Sequence, residues 1–151
     1  MKLEKLIAVL DKQEDNLKKL LQSVLEKQTA LVNGKSDLIK ESVSKEEKIL
    51  LAVQLTEETR LKVMEDLFVE FKIENKRYKL EVLVENLTGK INKNILGNIS
   101  LSERRIKITI REIQKINHQN MVLIQQSRSI INDTITAVLN SKHRSIVDRK
   151  G

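Results

Sequence analysis

An aliphatic residue recurs every seventh position from Leu3 through Leu10, Leu17 and Val24 to Leu31. A seven-residue repeat keeps one stripe of a slightly underwound helix facing a neighbour, so it commits the segment to coiled-coil-like packing. Leu6 or Ile7, Leu20 and Leu21 fill the second seam position. The first helix is therefore expected over about Leu3 to Val32. Asn33-Gly34 should end it, because both residues tolerate the left-handed cap conformation. Ser36 or Asp37 can cap a second helix, which carries Leu38, Ile39, Val43, Leu50, Leu51 and Leu55, then Leu61, Met64, Leu67, Phe68 and Phe71, as far as about Lys72. So short a connection folds the two helices back as an antiparallel hairpin.

Residues 73–77 read as a junction. Leu80, Leu83, Val84 and Leu87 follow helical spacing and predict a short third helix. Thr88 to Asn98 holds two glycines and three asparagines and reads as a loop. Ser100-Leu-Ser-Glu103 matches a capping box, which predicts a last helix from Leu101 to Asn140, roughly 60 Å long at 1.5 Å per residue. The expected fold is all-α: an elongated antiparallel up-and-down helical bundle or coiled coil of three long helices plus one short helix. Residues 1–140 form the helical domain, and 141–151 a basic, flexible C-terminal tail.

The 151 residues include no proline, and their three aromatics leave an almost wholly aliphatic core. Catalysis finds no foothold. With no cysteine, thiolate metal sites and cysteine nucleophiles are excluded. His118 and His143 have no acidic residue at zinc-ligand spacing, and no phosphate-binding glycine loop occurs. Paired acids such as Glu46-Glu47 diverge by about 100° on a helix and share no site. No catalytic residue, metal or cofactor is expected. No apolar run approaches the ~20 residues of a membrane span, so no stable membrane insertion is expected and the protein should be cytosolic.

The net charge of +7 is uneven: residues 76–151 hold 15 Lys/Arg against six Asp/Glu. That asymmetry fits an acidic protein partner, an anionic surface or nucleic acid. Arg104, Arg105, Lys107 and Arg111 cluster without an aromatic residue beside them, so nucleic acid has the weaker case.

The last helix carries a stripe through Ile106, Ile110, Ile113, Asn117, Asn120 and Ile124, continued by Ser127, Ile131, Thr134 and Val138. A second stripe runs Ile116, Leu123, Ile130 and Ala137. The two asparagines interrupt the apolar seam. Buried amides cost stability but fix register, because only one alignment gives them partners. The alternative is that the wide face lets both turn outward.

Asn117-x-x-Asn120-x-x-Leu123 within a long C-terminal helix resembles the signature of the FlgN-type flagellar export chaperones. A second patch agrees: Lys27-Gln-Thr-Ala30-Leu31-Val32-Asn-Gly34, then Leu38, Glu46-Glu47, Leu50-Leu51, Leu55 and Arg60. Order and lengths fit from about Leu3 to Asn140. The resemblance implies a cytosolic chaperone that binds hook-associated proteins of the hook–filament junction through its C-terminal helix. It would deliver them to the flagellar type III apparatus, meeting export-gate or export-ATPase components. A disordered client segment that folds on docking is anchored at helical spacing, for which Met121, Ile124, Ile131, Ile135, Val138 and Leu139 are the candidates. Past Ser127 the helix should outrun its packing partners. The resemblance departs at Ser141–Ser145, where the family's C-terminal tyrosine, tied to the export gate, is missing; Tyr78 is the only tyrosine. Two other readings fit the same helices: a self-associating coiled-coil structural or assembly protein, forming a homo-oligomer, and a nucleic-acid binder using the basic half.

Overall fold

A computed structural model describes residues 2–74 and 77–150; within them, the side chains of 127, 128, 130–132, 134 and 139–150 are not among those described. The chain forms α1 (Lys2–Asn33), α2 (Ser36–Glu70), α3 (Leu80–Leu87) and α4 (Lys93–Lys150). This is the expected all-α architecture of three long helices and one short one.

The hairpin turns where the sequence places it. Gly34 adopts φ +65°. Lys35 N–H donates to Ala30 O at 3.1 Å and Gly34 N–H to Leu31 O at 3.3 Å, which closes α1 with a Schellman motif. α2 ends in the same motif with a lysine in the strained position, Lys72 at φ 55°. There Ile73 N–H donates to Phe68 O at 2.8 Å, and Ile73 packs on the core that contains Phe68, which holds the strain in place.

The last helix begins eight residues earlier than expected. Its cap is Asn92, whose Oδ1 accepts from Asn94 N–H at 2.8 Å, so the apparent capping box at Ser100 lies inside α4. The cause is tertiary. Leu96 and Ile99 are buried against Leu3, Leu6, Leu83 and Leu87, and that burial outweighs the weak helix propensity of Gly97 and Asn98. At the other end α4 runs on to Lys150, so the backbone of residues 141–150, read as a tail, is helical.

α1 is the common partner: α2 and α4 each pack along it, and neither packs along the other. Pairings set the directions. Lys2 meets Glu70, Asn16 meets Thr56 and Lys27 meets Glu46, so α2 is antiparallel to α1. Glu14 meets Arg105 and Gln28 meets Gln119, so α4 is parallel to α1. The main core lies at the α3 end, where Leu6, Leu10, Met64, Leu67, Leu83 and Leu87 are essentially sealed. A smaller one surrounds Leu17, Leu20 and Val24. Much of the leucine on α2 is not core: Leu50, Leu51, Leu55 and Leu61 are exposed.

Between these cores, and again beyond the smaller one, the α1–α2 seam is polar. Asn16 Nδ2 donates to Thr56 Oγ1 at 3.0 Å and to Gln13 Oε1 at 3.2 Å. Gln13 Nε2 donates to Val53 O at 3.1 Å. Lys27 Nζ and Glu46 Oε2 are 2.8 Å apart with both side chains nearly enclosed. Only one register satisfies all of these, since a slip by a turn strands several buried polar groups.

Two outcomes follow. Asn16→Leu leaves Thr56 and Gln13 short of a partner and should lower unfolding free energy by about 2 kcal/mol. Asn120→Leu, at the α1–α4 seam, removes a buried carbonyl that no donor among the described residues reaches; it should be neutral or stabilising by up to about 1 kcal/mol. Urea denaturation compares them, and equal losses would contradict the assignment. Glu14 provides a pH test. The hydrogen bond from Arg105, aided by that guanidinium's charge, holds its carboxyl below the usual range. The stabilisation is therefore intact above the unfolded value near ~4.3 and is lost as pH falls through the lower folded value. Glu14→Gln should flatten the loss of thermal stability below about pH 4.3.

Candidate docking surfaces

α4 outruns the hairpin that supports it. Hydrogen-bonded partners on α1 and α4 are separated by 91 to 96 positions, so Asn33, the last residue of α1, lies beside residues 124–129. Beyond that point α4 continues to Lys150, an overhang of roughly 36 Å at 1.5 Å per residue. Every described side chain from Gln125 to Val138 is exposed. Ile135 is 51% and Val138 48% exposed. Met121 is also exposed, and Ile124 is half-buried. The side chains of Ile131 and Leu139 lie outside those described.

The asparagine pair divides. Asn120 is 1% exposed and its Nδ2 donates to Val24 O at 3.0 Å. Asn117 is exposed, which corrects the expectation that both occupy the seam. The reason is phase. The buried line of α4 passes through Ser102, Ile106, Thr109, Ile113, Ile116 and Asn120, taking members from both stripes of the sequence. Ile110, Asn117 and Ile124 sit one step round the helix. Leu123 is half-buried and lines a shallow hollow with Gln28, Thr29, Val32 and Asn33 at the hairpin tip.

A second surface follows from α2 and α4 flanking α1 without packing along each other. Between them opens a cleft of about 600 Å³. Its apolar lining comes from all three helices: Leu10 and Leu17 of α1, Val53 of α2, Ile106 and Ile110 of α4, with Leu80 of α3 at one end. Tyr78 closes that end. Its φ of 45° turns the ring onto Phe68, edge-on with centroids 5.1 Å apart. The lone tyrosine thus braces the α2–α3 arch.

Charges frame the cleft. Arg60 donates to both Glu57 oxygens, at 2.6 and 2.9 Å. Lys107 Nζ lies 2.7 Å from Glu103 and 2.9 Å from Glu81. Those two carboxylates hold the ammonium above its usual range, Glu103 most, and Lys107 in turn holds Glu81 low. Of the four cations that could have formed a nucleic-acid patch, Arg105 and Lys107 are engaged in ion pairs. No group of three acidic, histidine or cysteine residues among those described could hold a metal ion, and no described helix is long and apolar enough to cross a membrane.

The cleft and the polar seam escaped the sequence reading. The seam had a visible signal: stepping by seven from Leu6 gives Gln13, Leu20 and Lys27, polar residues at every second seam position. The cleft had none, because it depends on α2 and α4 standing apart.

The family model described as "FlgN protein" matches residues 1–147. No curated protein and no solved structure matches the chain.

Proposed function

The chain belongs to the FlgN family of flagellar export chaperones, and from that premise we propose that it binds hook-associated proteins of the hook–filament junction in the cytosol, through the C-terminal part of α4. It then presents them to gate or ATPase components of the flagellar type III export apparatus. No catalytic step is part of this function. The observation that carries the reading is the overhang: α4 extends about 36 Å past the hairpin tip with Ile135 and Val138 exposed. An exposed apolar stripe with no neighbour among the described residues is the form a helix takes when its partner is another molecule.

Capture of a disordered segment suits an export task. The client orders on the chaperone and leaves it without disturbing the chaperone's own core, because the overhang contributes little to that core. Met121, Ile124, Ile131, Ile135, Val138 and Leu139 are the proposed contacts. Gate contact through a C-terminal tyrosine is not part of the proposal, since Tyr78 is held in the arch.

A second reading has one observation in its favour. Leu51, Leu55 and Val69 are exposed on α2, as in a coiled-coil protein that closes its faces by self-association.

Titration of the purified protein with hook-associated proteins of the same organism, and with flagellin, tests the first reading. At least one hook-associated protein should bind at about micromolar Kd or tighter. An Ile135→Asp, Val138→Asp double variant should weaken that binding at least about tenfold with Tm unchanged, because both side chains are already exposed. Absence of binding to every hook-associated protein rejects the reading. A concentration-independent dimer by sedimentation velocity favours the second.

A further inference from the structure

We propose that Met121 is a reversible oxidation site, through which a peroxide weakens the docking of client on α4. The proposal rests on the export-chaperone reading, because it concerns the regulation of that same surface.

The sulfur chemistry of the chain converges on one atom. There is no cysteine, so no thiolate competes for an oxidant and thioethers are the only sulfur groups left to react. The chain has three methionines, and the structure describes Met64 and Met121. Met64 is 0% exposed, sealed in the core with Leu6, Leu67 and Leu83. Met121 is 52% exposed on α4. An oxidant dissolved in water reaches the second and not the first. With hydrogen peroxide, the Met121 Sδ attacks one oxygen and the O–O bond breaks as the S–O bond forms. The sulfur gives up two electrons, and the departing hydroxide takes the proton of the transferred oxygen and leaves as water. Methionine sulfoxide reductases reverse the step: two thiols become a disulfide and the sulfoxide oxygen leaves as water.

Met121 stands at the bundle end of the proposed client stripe. Met121, Arg128 and Ile135 are seven apart, and so are Ile124, Ile131 and Val138. A repeat of seven keeps both sets on one face of a helix, so the thioether shares its face with Ile135 and Val138 of the overhang. The stripe from Met121 to Val138 covers roughly 26 Å of helix. Here the support for α4 also runs out. Gln119 and Asn120 still bond to α1, whereas every described side chain from Gln125 to Val138 is exposed. A client helix that follows the stripe onto the bundle covers Met121.

Oxidation changes what that client meets. The thioether is apolar and pliable, and it adapts to the side chains laid on it. The sulfoxide is polar, and covering its oxygen without a donor costs the oxygen its water. The free chaperone is indifferent to the change, because Met121 packs in neither core.

The test uses the full chain, treated with hydrogen peroxide and freed of it before hook-associated proteins of the same organism are added. Proteolysis and mass spectrometry should place a gain of about 16 Da on the fragment 116–128, and on the fragment 63–72 only after unfolding in urea. Affinity for the hook-associated protein that the untreated chain binds should fall about tenfold with Tm unchanged. It should return on treatment with the reductases specific for the two sulfoxide epimers. Met121→Leu conserves volume and should bind as wild type with or without peroxide; Met121→Gln should weaken binding without it. Equal oxidation of both fragments in the folded chain, or none at 116–128, overturns the site. Loss of affinity that Met121→Leu shares under peroxide, or that the reductases do not restore, overturns reversible control through this residue. Binding that oxidation leaves unchanged overturns the control and leaves the chaperone reading intact. An untreated chain that binds none of these proteins overturns both.

Discussion

The polar seam on α1 determines the alignment on which the other features depend. Two aliphatic helices in contact have several nearly equal registers, one turn apart, because one leucine fits where another did. Lys27 and Glu46 remove that degeneracy. They face each other at 2.8 Å with little solvent around them, and a slip would leave a buried charge without its partner, at a cost of several kcal/mol. Asn16, Gln13 and Thr56 repeat the argument about three to four turns away. Apolar burial supplies the association, and the polar contacts select one form of it.

The fixed register has consequences at both ends of the bundle. At the α3 end it brings Leu3, Leu6 and Leu10 level with Met64, Leu67 and Phe68, and with the short α3. At the hairpin tip it sets where support for α4 stops. Because α4 is locked parallel to α1 by Glu14–Arg105 and by Asn120 on Val24, the end of α1 at Asn33 determines which residues of α4 project. The exposed stretch with Ile135 and Val138 is thus a consequence of unequal helix lengths. The cleft is a consequence of topology, since α1 serves both neighbours and α2 and α4 stand apart across it.

Several residues quoted for the family resemblance acquire physical roles. Lys27 and Glu46 form the seam ion pair. Gly34 makes the left-handed turn. Arg60 is clamped to Glu57 at the rim of the cleft. Asn120 alone of the two signature asparagines is buried, with one amide hydrogen used and its carbonyl without a donor among the described residues. A buried polar group that gains so little in stability is consistent with a role in alignment.

The sequence by itself determined helix type and number, the hairpin turn and the short α3, because seven-residue periodicity, Asn-Gly and local spacing act within one or two turns of chain. It also held the seam in view, as Gln13 and Lys27 within an otherwise aliphatic repeat. It could not settle the start of α4, where burial of Leu96 and Ile99 in a distant core overrides local capping signals. Nor could it settle which of Asn117 and Asn120 turns inward, since a stripe stepping by three and four is wide enough to face either way. Only the partner surface on α1 selects the phase. The trough beside Ile110 belongs wholly to the tertiary structure: it exists because two helices that do not pack along each other both lie against a third.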